Sequence, residues 1–191
     1  MSELVDASKL VDAGKLVNAA ENGEIGEVKR LLNNGVNPND HDKYGDIPLI
    51  VASREGHTNI VKLLLEVNAN PNIKAVLGGM TALIESSYEG HTDCVKLLLE
   101  NDTTNLNIQD DVGNTALHWA SMKGHTDIVI LLLENDTTDL NIQDNVGNTA
   151  LHWASIKEHT EIVILLLKAG ANVKILNNKG RSSWSIFEHL F

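Results

Sequence analysis

The residues best suited to chemistry in this chain are its eight histidines. Six of them recur at an interval of 34 residues, in one series of four and one pair: His57, His91, His125 and His159, then His118 and His152. An imidazole can ligate zinc or transfer protons, but a zinc site gathers cysteine and histidine ligands at short spacings that this chain lacks. A side chain that returns once per repeat is typical of a structural role, so we expect neither a metal nor another cofactor.

Nucleophilic catalysis has equally little support in the sequence. The single cysteine, Cys94, stands where later copies of the same segment have Ile128 and Ile162, which predicts a buried thiol with a raised pKa. The sequence contains no Gly-rich phosphate loop, no metalloprotease motif and no nucleophile elbow. We therefore predict that the protein is not an enzyme.

The net charge of -11 restricts the class of partner. Nucleic-acid affinity arises largely from Lys and Arg side chains that displace counterions, so this chain is not expected to bind nucleic acid or an anionic membrane. A lone cysteine and the lack of a membrane-length apolar window indicate a cytoplasmic protein. Carboxylates in the predicted turns favour solvated turn surface, with the capture of a basic partner as the alternative: Asp102, Asp110, Asp111, Asp136 and Asp144.

The interval of 34 residues is the period of an internal repeat that must position these side chains. In one period, a polar turn at 107–114 precedes an apolar segment that begins at Thr115 and ends at Gly124, which predicts a short first helix. Thr126 is predicted to cap a second helix over 127–133. Because such short helices are marginal alone, each pair must bury its apolar face against the next pair.

The repeat resembles a known family, the ankyrin repeat, in three segments: Gly113-Asn-Thr-Ala-Leu-His-Trp-Ala120, Gly124-His125 and Ile128-Val-Ile-Leu-Leu-Leu133. The resemblance implies an all-α fold, a solenoid of stacked helix-turn-helix units with short β-turn or hairpin loops. It also implies that the repeated histidines hydrogen-bond backbone groups of neighbouring turns. We predict an N-terminal extension at 1–14 and one ankyrin repeat domain at 15–191, divided into an N-capping repeat, four repeats and a truncated C-cap: 15–39, 40–72, 73–107, 108–141, 142–174 and 175–191.

Both ends depart from the repeat. Residues 1–14 are expected to form an added helical turn or a frayed tail. At the other end, apolar side chains would close the stack as a half-cap or contact a partner: Trp184, Ile186, Phe187, Leu190 and Phe191.

The resemblance also indicates where a partner would bind. In ankyrin proteins the partner usually lies on the concave face, which consists of the turn tips and the exposed side of the first helix. Carried over by position, this face contains the residues we predict to bind a protein partner: Tyr44, Arg54, Tyr88, Gln109, Asp111, Val112, Asn114, Met122, Lys123, Gln143, Asn145, Val146, Asn148, Ile156 and Lys157. The leading hypothesis is a monomeric adaptor or inhibitor, with its apolar residues as the main contacts.

The opposite, convex face offers an alternative. The second helix carries Lys62 and Lys96 in the earlier repeats, but Ile130 and Ile164 in the later ones. Exposed isoleucines at these positions would favour contact with another apolar surface. The convex face or the C-terminal end could therefore mediate self-assembly instead.

Two tryptophans have two possible placements. Residues 100–133 and 134–167 differ at only five positions, so Trp119 and Trp153 occupy equivalent places in the first helix. The helix could direct them between repeats or toward the partner-binding face. Inter-repeat packing is favoured because it buries a large indole area.

Overall fold

The structure is a computed structural model that describes residues 2–187, with side chains described from 9 to 185. In this range the backbone forms eleven α-helices joined by turns, which confirms the predicted all-α fold. The helices are α1 (Ser2–Glu21), α2 (Ile25–Asn33), α3 (Pro48–Arg54), α4 (Thr58–Glu66), α5 (Ala82–Glu89), α6 (Thr92–Leu99), α7 (Ala116–Lys123), α8 (Thr126–Leu133), α9 (Ala150–Ile156), α10 (Thr160–Lys168) and α11 (Ser183–Phe187). One isolated antiparallel bridge joins Leu176 to Ser182.

The chain forms two compact units, Met1–Thr104 and Asn105–Phe191, here called unit 1 and unit 2. Within unit 1, α3 packs against α1, α4 and α5, and α4 packs against α6. Within unit 2, α7 packs against α8 and α9, and α10 packs against α8 and α9. Equivalent helices of successive repeats thus lie side by side in each unit, as a stacked solenoid requires. The limits of the individual repeats stay predictions.

Aliphatic side chains on the inward faces of the helix pairs hold each unit together. One repeat position of the second helix is leucine throughout and is at most 1 % exposed: Leu64 and Leu98 in unit 1, Leu132 and Leu166 in unit 2. Burial of one such side chain contributes about 1.5–3 kcal/mol to folding. The core is therefore aliphatic, as the scarcity of aromatic residues suggests.

The N-terminal segment belongs to a long helix. α1 runs from Ser2 to Glu21. Residues 2–14 are therefore helical, which agrees with the predicted helical extension and not with a frayed tail. This helix buries Leu16, Val17 and Ala20 and packs on α2 and α3. It thereby covers the first apolar face of unit 1.

Threonine begins the first helix of three repeats. Thr81, Thr115 and Thr149 occupy the N-cap, where each hydroxyl accepts a hydrogen bond from the backbone N–H three residues later. The predicted start at Thr115 is therefore confirmed. The predicted cap at Thr126 is wrong, because Thr126 is the first residue of α8 and His125 occupies the N-cap without a side-chain bond.

The turn between paired helices requires glycine in one repeat and holds glutamate in the next. Gly124 has a φ of 81°, and a Cβ atom there would lie 2.8 Å from Cε1 of His159. Glu158 holds the equivalent place with a φ of 60° and is exposed. Since glycine alone reaches positive φ without strain, Glu158 is a strained copy of this turn.

The described part of the chain ends with α11. Trp184 is 48 % exposed, so its indole covers only part of this end of unit 2. The predicted closing contacts of Ile186 and Phe187 involve side chains outside the described residues, and Leu190 and Phe191 lie outside them entirely. None of the described helices is long and apolar enough to cross a membrane.

Candidate protein-interaction surface

Two buried aspartates organise the turns of unit 2. Asp110 Oδ1 accepts hydrogen bonds from the backbone N–H groups of Val112, at 3.0 Å, and Asn114, at 2.8 Å. Its Oδ2 accepts a bond of 2.8 Å from Nε1 of Trp119. Asp144 makes the same three bonds in the next repeat. Because both carboxylates are buried, the prediction of solvated turn surface is wrong for Asp110 and Asp144.

These bonds also place the two tryptophans. Trp119 and Trp153 are half-buried, and each indole N–H points to the aspartate of its own repeat. The indole therefore ties the first helix to the turn that precedes it. The favoured prediction of inter-repeat packing did not anticipate this contact.

Successive turns of unit 2 are joined by hydrogen bonds that use several predicted site residues. Asn145 N donates to Val112 O at 3.1 Å, and Asn145 Nδ2 donates to Asp111 O at 3.1 Å. Gln109 Nε2 donates to Gly113 O at 2.6 Å and to Gln143 O at 3.0 Å. Gln143 Nε2 makes the equivalent pair of bonds in the next repeat. These amide hydrogen bonds order the turns in the absence of a partner.

Two predicted contact residues lie inside the molecule. Asn114 is 4 % exposed and Asn148 is 5 % exposed. Oδ1 of Asn148 accepts a hydrogen bond of 2.9 Å from Nδ2 of Asn177 in the following turn. Their burial leaves almost no surface for contact with a partner.

The remaining predicted residues of unit 2 present apolar groups beside two lysines. Val112 and Val146 at the turn tips are 54 % and 52 % exposed, and Ile156 at the end of α9 is 38 % exposed. Met122 is half-buried at the end of α7, and both lysines are exposed. We call this set the unit 2 tip surface: Val112, Met122, Lys123, Val146, Ile156 and Lys157.

The predicted residues of unit 1 have a different chemical character. Tyr44 is 63 % exposed at a turn tip, and Lys43 Nζ lies 4.6 Å from the centroid of its ring. Arg54 is half-buried at the end of α3 and pairs with Glu21 at 3.1 Å, which holds the guanidinium in place. Tyr88 is half-buried on α5, at the position equivalent to Arg54.

Carboxylates surround Arg54 on this side of unit 1. Arg54 also lies 3.3 Å from Glu55 and 3.8 Å from Asp46, measured between nitrogen and carboxylate oxygen. Burial raises the pKa of Glu85 on α5, the charge of Arg54 opposes this shift, and the charge of Glu89 adds to it. The surface is therefore acidic although it contains a guanidinium.

The turn of unit 1 that begins at Ala75 differs from the aspartate-centred turns, and the sequence analysis did not predict it. Ala75 takes the place of the organising aspartate and is buried. Ala75 N donates to Met80 O across five residues, whereas the equivalent bond of Asp42, to Asp46 O, spans four. The lengthened tip exposes Val76 by 64 % and Leu77 by 77 %. The absence of aspartate at position 75 was the sequence signal that could have predicted this different turn.

Histidines of the series of four form hydrogen bonds to backbone carbonyl groups of the preceding repeat. Nε2 of His57 donates to Glu21 O at 2.8 Å, and Nε2 of His91 donates to Arg54 O at 2.9 Å. In unit 2, His159 makes the same contact with Met122 O at 3.3 Å. These bonds agree with the role that the family resemblance implies. Within the described residues, no group of three His, Cys, Asp or Glu side chains is arranged to hold a metal ion.

Cys94 and the paired histidines are also part of the interior. Burial raises the pKa of the Cys94 thiol, which confirms the predicted environment. His118 is buried beneath the turn, where Nδ1 accepts hydrogen bonds from N and Oγ1 of Thr115 and Nε2 donates to Asn148 O at 3.2 Å. His152 makes the equivalent contacts one repeat later. All three side chains are therefore buried in the repeat framework.

Short helix pairs, aspartate-centred turns and histidine-to-carbonyl bonds together define a helical repeat protein. A family model described as ankyrin repeats, in three copies, matches residues 16–110 and 102–177. These matches cover most of the chain, which therefore belongs to the ankyrin repeat family. Ankyrin repeats are generally protein–protein interaction modules, and the family is typically not enzymatic.

Two curated relatives match short parts of the chain. An ankyrin repeat-containing protein of Saccharomyces cerevisiae is 47% identical over 47 residues, which are 25% of this chain and 9% of that protein. The sex-determining protein fem-1 of Caenorhabditis elegans is 44% identical over 36 residues, which are 19% of this chain and 6% of that protein. The matched segments thus span less than a tenth of either relative.

Proposed function

We propose that this chain is a protein-binding module, an adaptor or an inhibitor, whose main contact is the unit 2 tip surface. The observation that carries the proposal is the grouping of exposed apolar side chains, Val112, Val146 and Ile156, on neighbouring repeats. Grouped exposed apolar residues commonly mark an interaction site. This surface belongs to the face that ankyrin proteins present as concave.

The rigidity of the turns supports the proposal. Buried carboxylates hold the backbone beside Val112 and Val146, and the amide of Asn145 joins the two turns. A surface that is already ordered loses little conformational entropy when a partner docks. The exposed Asp111 and Asn145 would form the polar rim, while Gln109 and Gln143 stabilise the turns through amide hydrogen bonds.

Residues of unit 1 extend the proposal. Tyr44 and Tyr88 are aromatic groups of the kind that often dominate the binding energy of an interface. Arg54 is held by its carboxylate partners and presents a fixed positive group among them. We also propose that the protein is a cytoplasmic monomer; its single cysteine cannot form the internal disulfides typical of oxidising compartments.

Affinity capture from the native cell tests the main surface. The wild-type chain is compared with a Val112→Glu, Ile156→Glu variant and with Ile164→Glu, which changes an equally exposed isoleucine on α10. We expect the double variant to lose a partner that the control retains, with the direct affinity for that purified partner reduced at least about ten-fold. Equal capture by all three proteins, each verified as folded by circular dichroism, would reject this surface.

Self-assembly through the convex face is a second candidate. Ile130 and Ile164 are 37 % and 44 % exposed on α8 and α10, although the equivalent residues of unit 1 are Lys62 and Lys96. Sedimentation velocity at several concentrations tests this alternative, with an Ile130→Lys, Ile164→Lys variant that copies the unit 1 residues. Self-association that the variant abolishes supports it, and a monomer at every concentration excludes it.

A further inference from the structure

Unit 1 carries an apolar cluster at the tips of two neighbouring turns. Val76 lies directly over Gly45, where a Cβ atom would come within 2.6 Å of Cγ2 of Val76. Tyr44 precedes Gly45 and Leu77 follows Val76, so the tips of two touching turns carry three exposed apolar side chains. We call these residues, Tyr44, Val76 and Leu77, the unit 1 tip cluster.

The requirements of the fold do not explain this cluster. In the turn of the preceding repeat, Oδ1 of Asp42 accepts bonds from Tyr44 N and Asp46 N and stabilises the turn. The turn that begins at Ala75 lacks that carboxylate, is one residue longer and exposes its apolar side chains to water. A local departure from the stabilising pattern is typical of a functional position.

An acidic surface continues from the cluster. Asp46, two residues after Tyr44, lies 3.8 Å from Arg54, so the turn tip and the end of α3 adjoin. Arg54 faces four carboxylates, Glu21, Asp46, Glu55 and Glu85, and the charge of Glu89 acts on Glu85. Lys43 adds a second cation beside the cluster, with Nζ 4.6 Å from the centroid of the Tyr44 ring, so the carboxylates outnumber the cations. The side chains of Glu21, Asp46 and Glu55 are 44%, 35% and 43% exposed.

The charge of this surface is specific to unit 1. Glu55 and Glu89 stand at the repeat position that Lys123 and Lys157 occupy in unit 2. All four side chains are exposed at the end of a first helix, so the fold accepts either charge there. We therefore relate the glutamates of unit 1 to the charge of the partner that binds this surface.

The combination of apolar tips and carboxylates selects one kind of occupant. Like charge disfavours an acidic peptide, an anionic membrane or a second copy of this chain, whose net charge is -11. We propose that the unit 1 tip cluster and its neighbouring carboxylates bind an extended protein segment that carries a large apolar side chain next to arginine or lysine. The inference rests on the proposed protein-binding function and gives it a second surface with a defined partner chemistry.

The apolar and the basic side chains of the segment would contact different parts of this surface. The apolar side chain of the segment covers Val76 and Leu77 and stacks beside Tyr44, while its basic groups reach Asp46, Glu55 and Glu89. Opposite charges speed the encounter and fix the orientation of the segment, and burial of the apolar side chain slows its release. Affinity should therefore fall as salt concentration rises, although apolar contact retains part of it.

A panel of fluorescent synthetic peptides provides the test on the full chain. Each peptide carries one leucine or phenylalanine and two arginines in a Gly/Ser background, with all spacings represented, and matched panels replace arginine by glutamine or by glutamate. Binding is measured by fluorescence anisotropy at two salt concentrations. The variants are Leu77→Glu, the pair Glu55→Lys with Glu89→Lys, and the control Val67→Glu, which changes an exposed apolar residue at the C-cap of α4.

We expect the arginine panel to contain peptides that bind and the glutamate panel to contain none. Leu77→Glu and the lysine pair should each weaken this binding at least about ten-fold, and Val67→Glu should leave it unchanged. No binding by any arginine peptide, equal binding by the glutamine panel, or binding that neither Leu77→Glu nor the lysine pair weakens would each overturn the inference. Because every variant lies in unit 1, these results are independent of the capture experiment on the unit 2 tip surface.

Discussion

At the scale of single residues, one repeat position buries a hydroxyl that makes no hydrogen bond. The Oγ atoms of four serines at this position are buried and have no hydrogen-bond partner among the described residues: Ser53, Ser87, Ser121 and Ser155. Ser86, beside Ser87 in α5, is equally buried, but its Oγ donates to Ala82 O at 2.9 Å. The two neighbours differ in whether the hydroxyl is satisfied.

This difference predicts opposite effects of the same substitution. Ser87→Ala removes an unsatisfied hydroxyl, so it should raise the free energy of unfolding by about 1 kcal/mol. Ser86→Ala removes a hydroxyl with its hydrogen bond and should lower the free energy of unfolding by a similar amount. Urea denaturation of the two variants beside wild type measures both changes. A loss of stability in Ser87→Ala as large as that in Ser86→Ala would contradict the assignment.

The buried histidines predict a loss of stability in acid. Burial lowers the pKa of His118 and His152 from the ordinary 6.5, and hydrogen bonds to backbone carbonyls oppose part of this shift. The unfolded chain thus takes up protons that the folded chain resists. The stability that these histidines contribute is complete above pH 6.5 and is lost as the pH falls through the lower folded pKa.

The free energy of unfolding should therefore fall below pH 6.5, by at most about 1.4 kcal/mol per pH unit for each histidine. Urea denaturation at a series of pH values measures the slope. The matched variant is His118→Ile with His152→Ile, which copies Ile50 and Ile84 at the same repeat position. It should show a flatter slope whatever its stability at neutral pH, and an unchanged slope would assign the effect to other groups.

Residue types alone did not predict which turn polar groups are buried. Aspartate, asparagine and glycine correctly indicated the turns, but the sequence does not show that Asp110 receives the indole N–H of Trp119 nine residues later. That bond depends on how the first helix turns back over its own loop. The same packing buries Asn114 and Asn148, which position within the repeat had assigned to the surface.

At the scale of elements, Glu158 departs from the repeat in residue type, because it replaces glycine in a turn where φ is positive. The equivalent Gly124 avoids a close contact between a Cβ atom and His159. Glu158 is exposed, so the cost at this position arises from its backbone conformation. A non-glycine residue in this region costs about 1–2 kcal/mol. Its helix still forms because packing of α9 and α10 outweighs that cost.

Glu158→Gly should therefore stabilise the protein by about 1 kcal/mol, since glycine removes the backbone strain but adds entropy to the unfolded chain. The matched change is Gly124→Glu, which introduces the same strain together with a clash at His159 and should destabilise the protein by more than that. Thermal and urea denaturation measure both variants. A loss of stability in Glu158→Gly would mean that the glutamate side chain makes a contact worth more than the strain.

Elements were easier to predict than their surfaces. A threonine before an apolar segment and glycine after it located the first helix of one repeat, α7, correctly, because capping and termination are local effects. The second helix begins one residue earlier than expected, at Thr126, with His125 at the N-cap. The extended turn at 75–80 escaped prediction because its extra residue is balanced by a shorter preceding loop, which leaves the spacing of the histidines intact.

At the scale of the whole molecule, the two units follow one repeat plan with different chemistry. The position beneath the turn holds Ile50 and Ile84 in unit 1, but His118 and His152 in unit 2. The isoleucines do not titrate, and both are at most 2 % exposed. Acid should therefore act on the two units unequally.

Hydrogen exchange measured by mass spectrometry at neutral and mildly acidic pH checks this expectation. After correction for the intrinsic pH dependence of exchange, amides of α7 to α10 should lose more protection in acid than amides of α3 to α6, because only unit 2 buries neutral histidines beneath its turns. Introduction of isoleucine at both histidines should remove the difference. Equal loss in both units of the wild type would place the acid-sensitive groups elsewhere.

The indole bonds to the turn aspartates also give the molecule a natural optical label. All three tryptophans of the chain, Trp119, Trp153 and Trp184, belong to unit 2, and both tyrosines, Tyr44 and Tyr88, belong to unit 1. Light that excites indoles selectively therefore monitors one unit alone, and release of the Trp119 and Trp153 N–H groups from their carboxylates should change the emission as the turns open. Unfolding of the two units can thus be followed separately in the unmodified protein, with circular dichroism reporting their sum.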